Sequence, residues 1–199
     1  MRWSDALGVP PHFLQILLLV EDKRFPIHVG LDPLAIARAA FRDVKERRIA
    51  EGASTVTQQL YDIEAGPWAV RPTTWRRKVR QAGWALKADC GTSKLEILRA
   101  YLAAAYWGGT YYGLPDAALG YFGRSKSDLS RSESFFLVER LGSPNRPLPS
   151  RTASILSRRA VRDAVLVEPD DRLSLAEHYE AVFGNGEGLW QCPAKFRKQ

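Results

Sequence analysis

The chain has 199 residues, enough for one medium domain with a core of its own or for one domain and an appendage. At 45% hydrophobic and 26% charged residues it falls outside the collagen-like, low-complexity and disordered classes. The excess of 29 Lys+Arg over 22 Asp+Glu, formally +7, suits an anionic partner such as nucleic acid, lipid headgroups or a phosphorylated substrate, and equally a solvated basic surface.

In chain order, Pro10-Pro11 suit a helix start, and an apolar helix is expected from Pro11 to about Arg24, stopped by Pro26. Its longest apolar run, Phe13 to Val20, is shorter than the ~20 residues that span a bilayer, so neither a signal peptide nor a membrane span is expected within it. Leu31 to Ile49 has apolar residues at helical spacing and predicts a second, amphipathic helix. A third opens at Thr55, where Thr55-x-x-Gln58 has capping-box spacing. Residues 64–72, with Gly66, Pro67 and Pro72, read as a loop.

Thr73 or Thr74 then caps a basic helix running to about Asp89, closed by Gly91. Ser93-x-x-Glu96 opens a helix to about Trp107, and a turn-rich loop follows from Gly108 to Gly113. Further helices are expected over Asp116–Tyr121, Arg131–Leu141, Thr152–Val167 and Leu175–Phe183, with Ser130-x-x-Glu133 capping the second of these. Alternating strand patterns are absent, so the fold class is all-α.

Two polar stretches carry chemistry. Glu21 of Glu21-Asp22-Lys23-Arg24-Phe25-Pro26-Ile27-His28-Val29-Gly30 falls in the last turn of its helix beside Leu17, Leu18 and Val20. The negative end of the helix dipole and apolar neighbours both disfavour an ionised carboxylate, which suits a general base near neutrality. A surface Glu paired with Lys23 or Arg24 is the bland alternative. Gly52-Ala53-Ser54-Thr55-Val56-Thr57-Gln58-Gln59 places hydroxyls and first-turn N–H groups together, which describes either an anion cradle or ordinary helix capping.

Further on, Arg76, Arg77, Lys78 and Arg80 concentrate four cations in five residues, with Arg77, Gln81 and Trp84 on one face. That face fits a diphosphate, an acidic lipid surface or, with Trp75 and Trp84 stacking bases, a nucleic acid; a solvated basic face needs none of these. Glu96 and Glu133 complete capping boxes and are assigned to structure. His28 is expected to orient a neighbour, and His12, His28 and His178 are too scattered for a zinc site. The aromatic stretch Tyr101 to Tyr112 reads as packing, and Cys90 and Cys192 form no Cys-x-x-Cys pair.

These stretches resemble the glycosyltransferase family 51 domain, the peptidoglycan glycosyltransferase module of bifunctional penicillin-binding proteins and monofunctional transglycosylases. Residues 21–30 match every fixed position of its first motif, Glu-Asp-x-x-Phe-x-x-His-x-Gly, and residues 52–59 match its second, Gly-x-Ser-Thr-x-Thr-Gln-Gln. The likeness continues through Arg77-Lys78, Glu96-Ile97-Leu98, Tyr101-Leu102 and Tyr121-Phe122-Gly123, covering about residues 8–166. A glycosyltransferase-like domain over 1–166 and an extension over 167–199 are therefore expected.

The resemblance implies a lysozyme-like helical lobe with a smaller membrane-facing subdomain around residues 30–50, working on lipid II at the outer face of the cytoplasmic membrane. Partners implied are lipid II, the membrane surface and other cell-wall synthesis proteins, and not nucleic acid. Glu21 would be the base on the acceptor's 4-hydroxyl. Asp22, Phe25 and His28 would shape its site, Ser54, Thr55, Gln58 and Gln59 would line the cleft, and Arg77, Lys78 and Arg80 would face phosphate.

The departures bear on activity. The family's second functional glutamate is Gln81 here, a basic residue after Gln-Gln is Asp62, an arginine is Thr73 with Arg71 nearby, and fourth-motif Glu and Asn are Arg99 and Ala103. Glutamine cannot supply the charge that holds a divalent ion, so use of Mg²⁺ or Mn²⁺ stays open and no metal ligand is assigned. Natural divergence accounts for all five better than one engineered exchange. A weakened transferase and an inactive relative that binds lipid II, glycan or a cell-wall enzyme as a scaffold are the two readings carried forward; a hydrolytic role is a third. Gln81→Glu is expected to raise activity or leave it unchanged. The chain contains no Ser-x-x-Lys, so no penicillin-binding transpeptidase site is expected.

Overall fold

The computed structural model describes residues 2–46, 53–66 and 74–184. Gly52, Arg71, Thr73 and Cys192, all noted above, lie outside the described residues. The fold is all-α: among the described residues the extended pairings are two isolated bridges, Val29 with Leu31 and Tyr106 with Tyr112. The chain divides into two compact units, Glu21–Ala105 and the pair of segments Met1–Val20 and Tyr106–Gln199.

In the first unit lie α3 (Pro33–Glu46), α4 (Val56–Glu64), α5 (Trp75–Gly91) and α6 (Lys94–Ala104), with α4 packed on both α5 and α6. Their starts follow the side-chain chemistry of the sequence. Thr55 and Gln58 form a complete capping box at α4, Ser93 and Glu96 another at α6, and the Thr74 hydroxyl accepts from the Arg77 N–H at α5. Asp32 serves α3, its Oδ1 accepting from the N–H groups of Leu34 and Ala35 and from the Arg24 guanidinium.

Gly30 marks the tightest approach in this unit. Its φ of +68° suits glycine, and a Cβ there would lie 2.3 Å from the Ala85 carbonyl oxygen. The loop reaches α5 so closely because its Gly30 N–H donates to Asp89 Oδ2 while its carbonyl accepts from the Thr55 hydroxyl at 2.6 Å.

The second unit holds α1 (Trp3–Leu7), α2 (Pro11–Glu21, whose last residue belongs to the first unit), α7 (Leu114–Phe122), α8 (Arg131–Arg140), α9 (Pro149–Leu156), α10 (Arg159–Val165) and α11 (Asp171–Phe183). Every residue of α8 from Ser132 to Arg140 is buried, and α7, α10 and α11 pack on it. Two opposite charges are inside. Glu139 accepts from the Arg140 guanidinium, from Tyr179 Oη at 2.8 Å and from Arg151 Nη1 at 2.8 Å. Arg140 donates on to the Arg146 carbonyl at 2.9 Å and lies 4.8 Å from the Phe183 ring centre. Burial, reinforced by the Glu139 charge, drives the Tyr179 phenol well above its ordinary range, so it acts as a donor.

Three element expectations are corrected and one short helix is added. The first long helix ends at Glu21 rather than Arg24, because Asp22 leaves the helix to bond elsewhere. The expected Thr152–Val167 helix is two, broken where the Ser157 hydroxyl turns back to the Ser154 carbonyl and Arg158 becomes extended. The last helix starts earlier, at Asp171, whose carboxylate accepts from the Val167 and Glu168 N–H groups. The five-residue α1 carries no side-chain cap and escaped notice.

Two outcomes test this packing. Gly30→Ala forces a strained φ and a backbone clash, and should cost about 2 kcal/mol or more in a thermal or denaturant melt. Glu139→Gln leaves Arg140 buried without its counter-charge and should cost about 3 kcal/mol in the same measurement.

Candidate active site

Asp22 and His28 come together although six residues of turn separate them. The His28 Nε2 lies 2.9 and 3.0 Å from the two Asp22 oxygens, and both residues are buried. Facing a carboxylate, Nε2 carries the proton and donates. Asp22 Oδ2 also accepts the Val56 N–H at 3.0 Å, at the first turn of α4. An internal carboxylate thus occupies the positive end of that helix dipole.

The anion-cradle reading of this helix start gives way to capping for that reason. The Gln58 N–H is taken by the Thr55 hydroxyl at 3.1 Å, and the Gln58 side-chain oxygen accepts the Thr55 N–H at 3.0 Å. Thr55 and Gln58 are buried and hold loop to helix. Phe25 is wholly buried, with the Lys94 ammonium 4.3 Å above its ring centre, so it packs inside the motif. Lys94 in turn reaches Asp89 Oδ2 at 2.6 Å. Asp89, which ties Gly30 and Lys94 together and accepts from the Thr57 hydroxyl at 3.4 Å, went unseen in the sequence, where it is one more polar residue near a helix end.

Glu21 ends α2 half-buried. Its Oε2 accepts from Gln59 Nε2 at 2.7 Å, and the Gln59 oxygen accepts from Tyr101 Oη at 2.7 Å. Burial first, then the nearby Glu21 and Asp22 charges, pushes the Tyr101 phenol well above its ordinary range. It therefore stays protonated and donates, which fixes which end of the Gln59 amide faces Glu21. Tyr101 was assigned to packing; its hydroxyl is what the sequence reading missed.

On α5 a second cluster forms. Gln81, 1% exposed, donates from Nε2 to the Gln58 carbonyl at 3.0 Å and to Asp62 Oδ2 at 2.6 Å. Its oxygen accepts from Lys78 Nζ at 3.0 Å, and Lys78 also donates to the Ser54 hydroxyl at 3.3 Å. Arg77 Nη2 donates to Asp62 Oδ1 at 2.8 Å, with side chains 29% and 33% exposed. Arg80 is exposed on the same helix and makes none of these bonds among the described residues. Arg99 and Ala103 occupy exposed positions of α6.

Both Asp62 oxygens are engaged by cationic or amide donors, and among the described residues no group of three His, Cys, Asp or Glu side chains is placed to hold a metal ion. The donor set does not fit a divalent cation. The arrangement can instead hold one carboxylate steady at the end of α2 and present guanidinium and ammonium groups to an anion.

A family model described as transglycosylase matches residues 1–167. Among similar proteins, penicillin-binding protein 1C of Escherichia coli (strain K12) is 38% identical over 160 residues, which is 75% of this chain and 20% of that protein. Penicillin-binding protein 1A of Haemophilus influenzae is 35% identical over 176 residues, 87% of this chain and 20% of its own length. A biosynthetic peptidoglycan transglycosylase of Rhodospirillum centenum is 33% identical over 159 residues, covering 80% of this chain and 67% of the relative. The chain thus spans about a fifth of the penicillin-binding proteins it matches and two thirds of the monofunctional relative. With matches of this extent, the chain belongs to the transglycosylase family.

Proposed function

We propose that the chain is a peptidoglycan glycosyltransferase that polymerises lipid II, and that residues 1–166 carry this activity while 167–199 form an extension to it. The observation that carries this reading is the Tyr101–Gln59–Glu21 relay, a carboxylate positioned by a donor whose orientation is itself fixed. Glu21 takes the proton from the acceptor sugar's 4-hydroxyl. That oxygen attacks the donor's anomeric carbon from the face opposite the leaving group. The bond from that carbon to the diphosphate oxygen breaks, the electron pair leaves with the lipid diphosphate, and configuration inverts. Arg77 and Lys78 face the charge that builds on the diphosphate. Ser54 sits beside Lys78 and positions it.

Asp22, His28, Phe25, Thr55 and Gln58 serve the same site by holding the Glu21 turn against α4. Arg80 extends the cationic face of α5. No step passes through a metal ion.

The apolar residues Ile27, Val29, Leu34, Ile36 and Phe41 are exposed on the turn after Glu21 and on α3. They support contact with the outer face of the cytoplasmic membrane, where a lipid-linked substrate is held. No helix among the described residues is long and apolar enough to cross a membrane. Other cell-wall synthesis proteins are the fitting partners.

A second reading, an inactive relative that binds lipid II or another cell-wall component as a scaffold, is favoured by the buried amide at Gln81 where the resemblance expects a carboxylate. Polymerisation of labelled lipid II, run beside a titration of lipid II binding, separates the two. Glycan chains support the transferase; tight binding without chains supports the scaffold.

In the polymerisation assay, Glu21→Gln should lower turnover by about 1,000-fold or more while lipid II still binds. Parent-like turnover would remove Glu21 as the base. Tyr101→Phe releases the Gln59 amide and should lower kcat about tenfold with little change in KM.

A further inference from the structure

The third-motif position holds a neutral amide, yet the cluster around it contains a carboxylate one hydrogen bond away. Gln81 is enclosed, and among the described residues it bonds the Gln58 carbonyl, Asp62 and Lys78. Lysine only donates, so the Gln81 oxygen must face Lys78 and its NH₂ must face Asp62. The side chain is therefore a fixed bracket with a cation at one end and an anion at the other. It has no surface left for a substrate.

Asp62 differs on each count. It is one-third exposed, it lies 2.8 Å from the Arg77 guanidinium, and its second oxygen is pinned by the bracket at 2.6 Å. An exposed ion pair alone contributes little and orients little, because both partners are mobile in water. The bond to a buried amide removes that freedom from Asp62, and through Asp62 from the Arg77 guanidinium.

We infer that Asp62 is the second functional carboxylate of this site, a positioning residue that sets Arg77 against the substrate's diphosphate, with Gln81 serving as its support. The chain has exchanged a carboxylate on α5 for one on α4 across a single hydrogen bond. This rests on the transferase reading for its consequence in catalysis, but its charge geometry can be tested by binding alone.

The exchange also reverses the outcome expected for Gln81→Glu from sequence. A second carboxylate there would meet Asp62 at hydrogen-bond distance and leave the Gln58 carbonyl without its donor. That variant should melt lower and turn over more slowly than the parent.

The test is a set of four proteins: parent, Asp62→Asn, Gln81→Glu, and the double exchange Asp62→Asn with Gln81→Glu. Each is assayed for lipid II polymerisation, lipid II affinity and melting temperature. Asp62→Asn is nearly isosteric at a partly exposed site and keeps the fold. It should lower kcat about 10- to 100-fold, because Arg77 loses its alignment. It should not raise KM, and should tighten lipid II binding about threefold, because one negative charge has left the cationic cluster. The double exchange returns a carboxylate to the pair and should recover most of the lost kcat and the parent affinity.

A folded Asp62→Asn variant with parent kcat and affinity overturns the proposal. So does a folded double exchange no better than its worse single change. Should the double exchange not fold, Asp62→Asn decides alone. Should the parent make no chains, the transferase reading fails separately, and the affinity series decides on Asp62: tighter binding for Asp62→Asn sustains it, and an unchanged affinity ends it.

Discussion

A single buried carboxylate, Asp22, holds the first unit's polar architecture in place. It leaves α2 one residue after Glu21, accepts the His28 imidazole on both oxygens, and takes the first N–H of α4. A buried anion needs both a counter-donor and a favourable dipole, and this one has both. Because Asp22 is covalently next to Glu21, docking it on α4 also delivers the Glu21 carboxylate to Gln59, three residues into the same helix. Asp22 fixes the start of the turn from Lys23 to Gly30, as Asp89 and Thr55 fix its end.

Around this anchor the unit spends its hydrogen bonds in pairs that lock each other. The Thr55 hydroxyl caps α4 and holds Gly30; Asp89 receives Gly30 and Lys94; Lys94 covers Phe25. The other unit applies the same logic at its centre, where Glu139 and Arg140 on α8 share a core with Tyr179 and Phe183. In each case a charge is buried with its partners already supplied by neighbouring elements. The polar groups fix orientation, and the apolar side chains around them supply the bulk of the burial.

Much of this was legible in the residues. Capping boxes at Thr55, Ser93 and Ser130 are local, needing only a hydroxyl and an acceptor three residues on, and all three formed. Helical periodicity located most elements for the same reason. What could not be read was anything that depends on which helix faces which. Asp89 and Tyr101 acquire their roles from partners 59 and 42 residues away. Asp62 looked like a lost cation in the sequence, because its relation to Gln81, 19 residues on, exists only once α4 and α5 pack. The α4 N-terminus showed the opposite error: its N–H groups looked available, yet Asp22 takes that of Val56 and the Thr55 hydroxyl takes that of Gln58.

The adjacency of Gln58 and Gln59 has a consequence for how such a chain can vary. One residue's carbonyl receives the Gln81 bracket and the next residue's amide holds Glu21, so the Glu21 carboxylate and the Gln81–Lys78 cluster share one helical register. Insertions in the loops on either side would leave that spacing intact. A single residue added or removed between Gln58 and Asp62 would rotate the helix beyond it by about 100° and part the two α4 partners of Gln81. Lineages of this chain should therefore tolerate length changes freely around α4 and almost never within it.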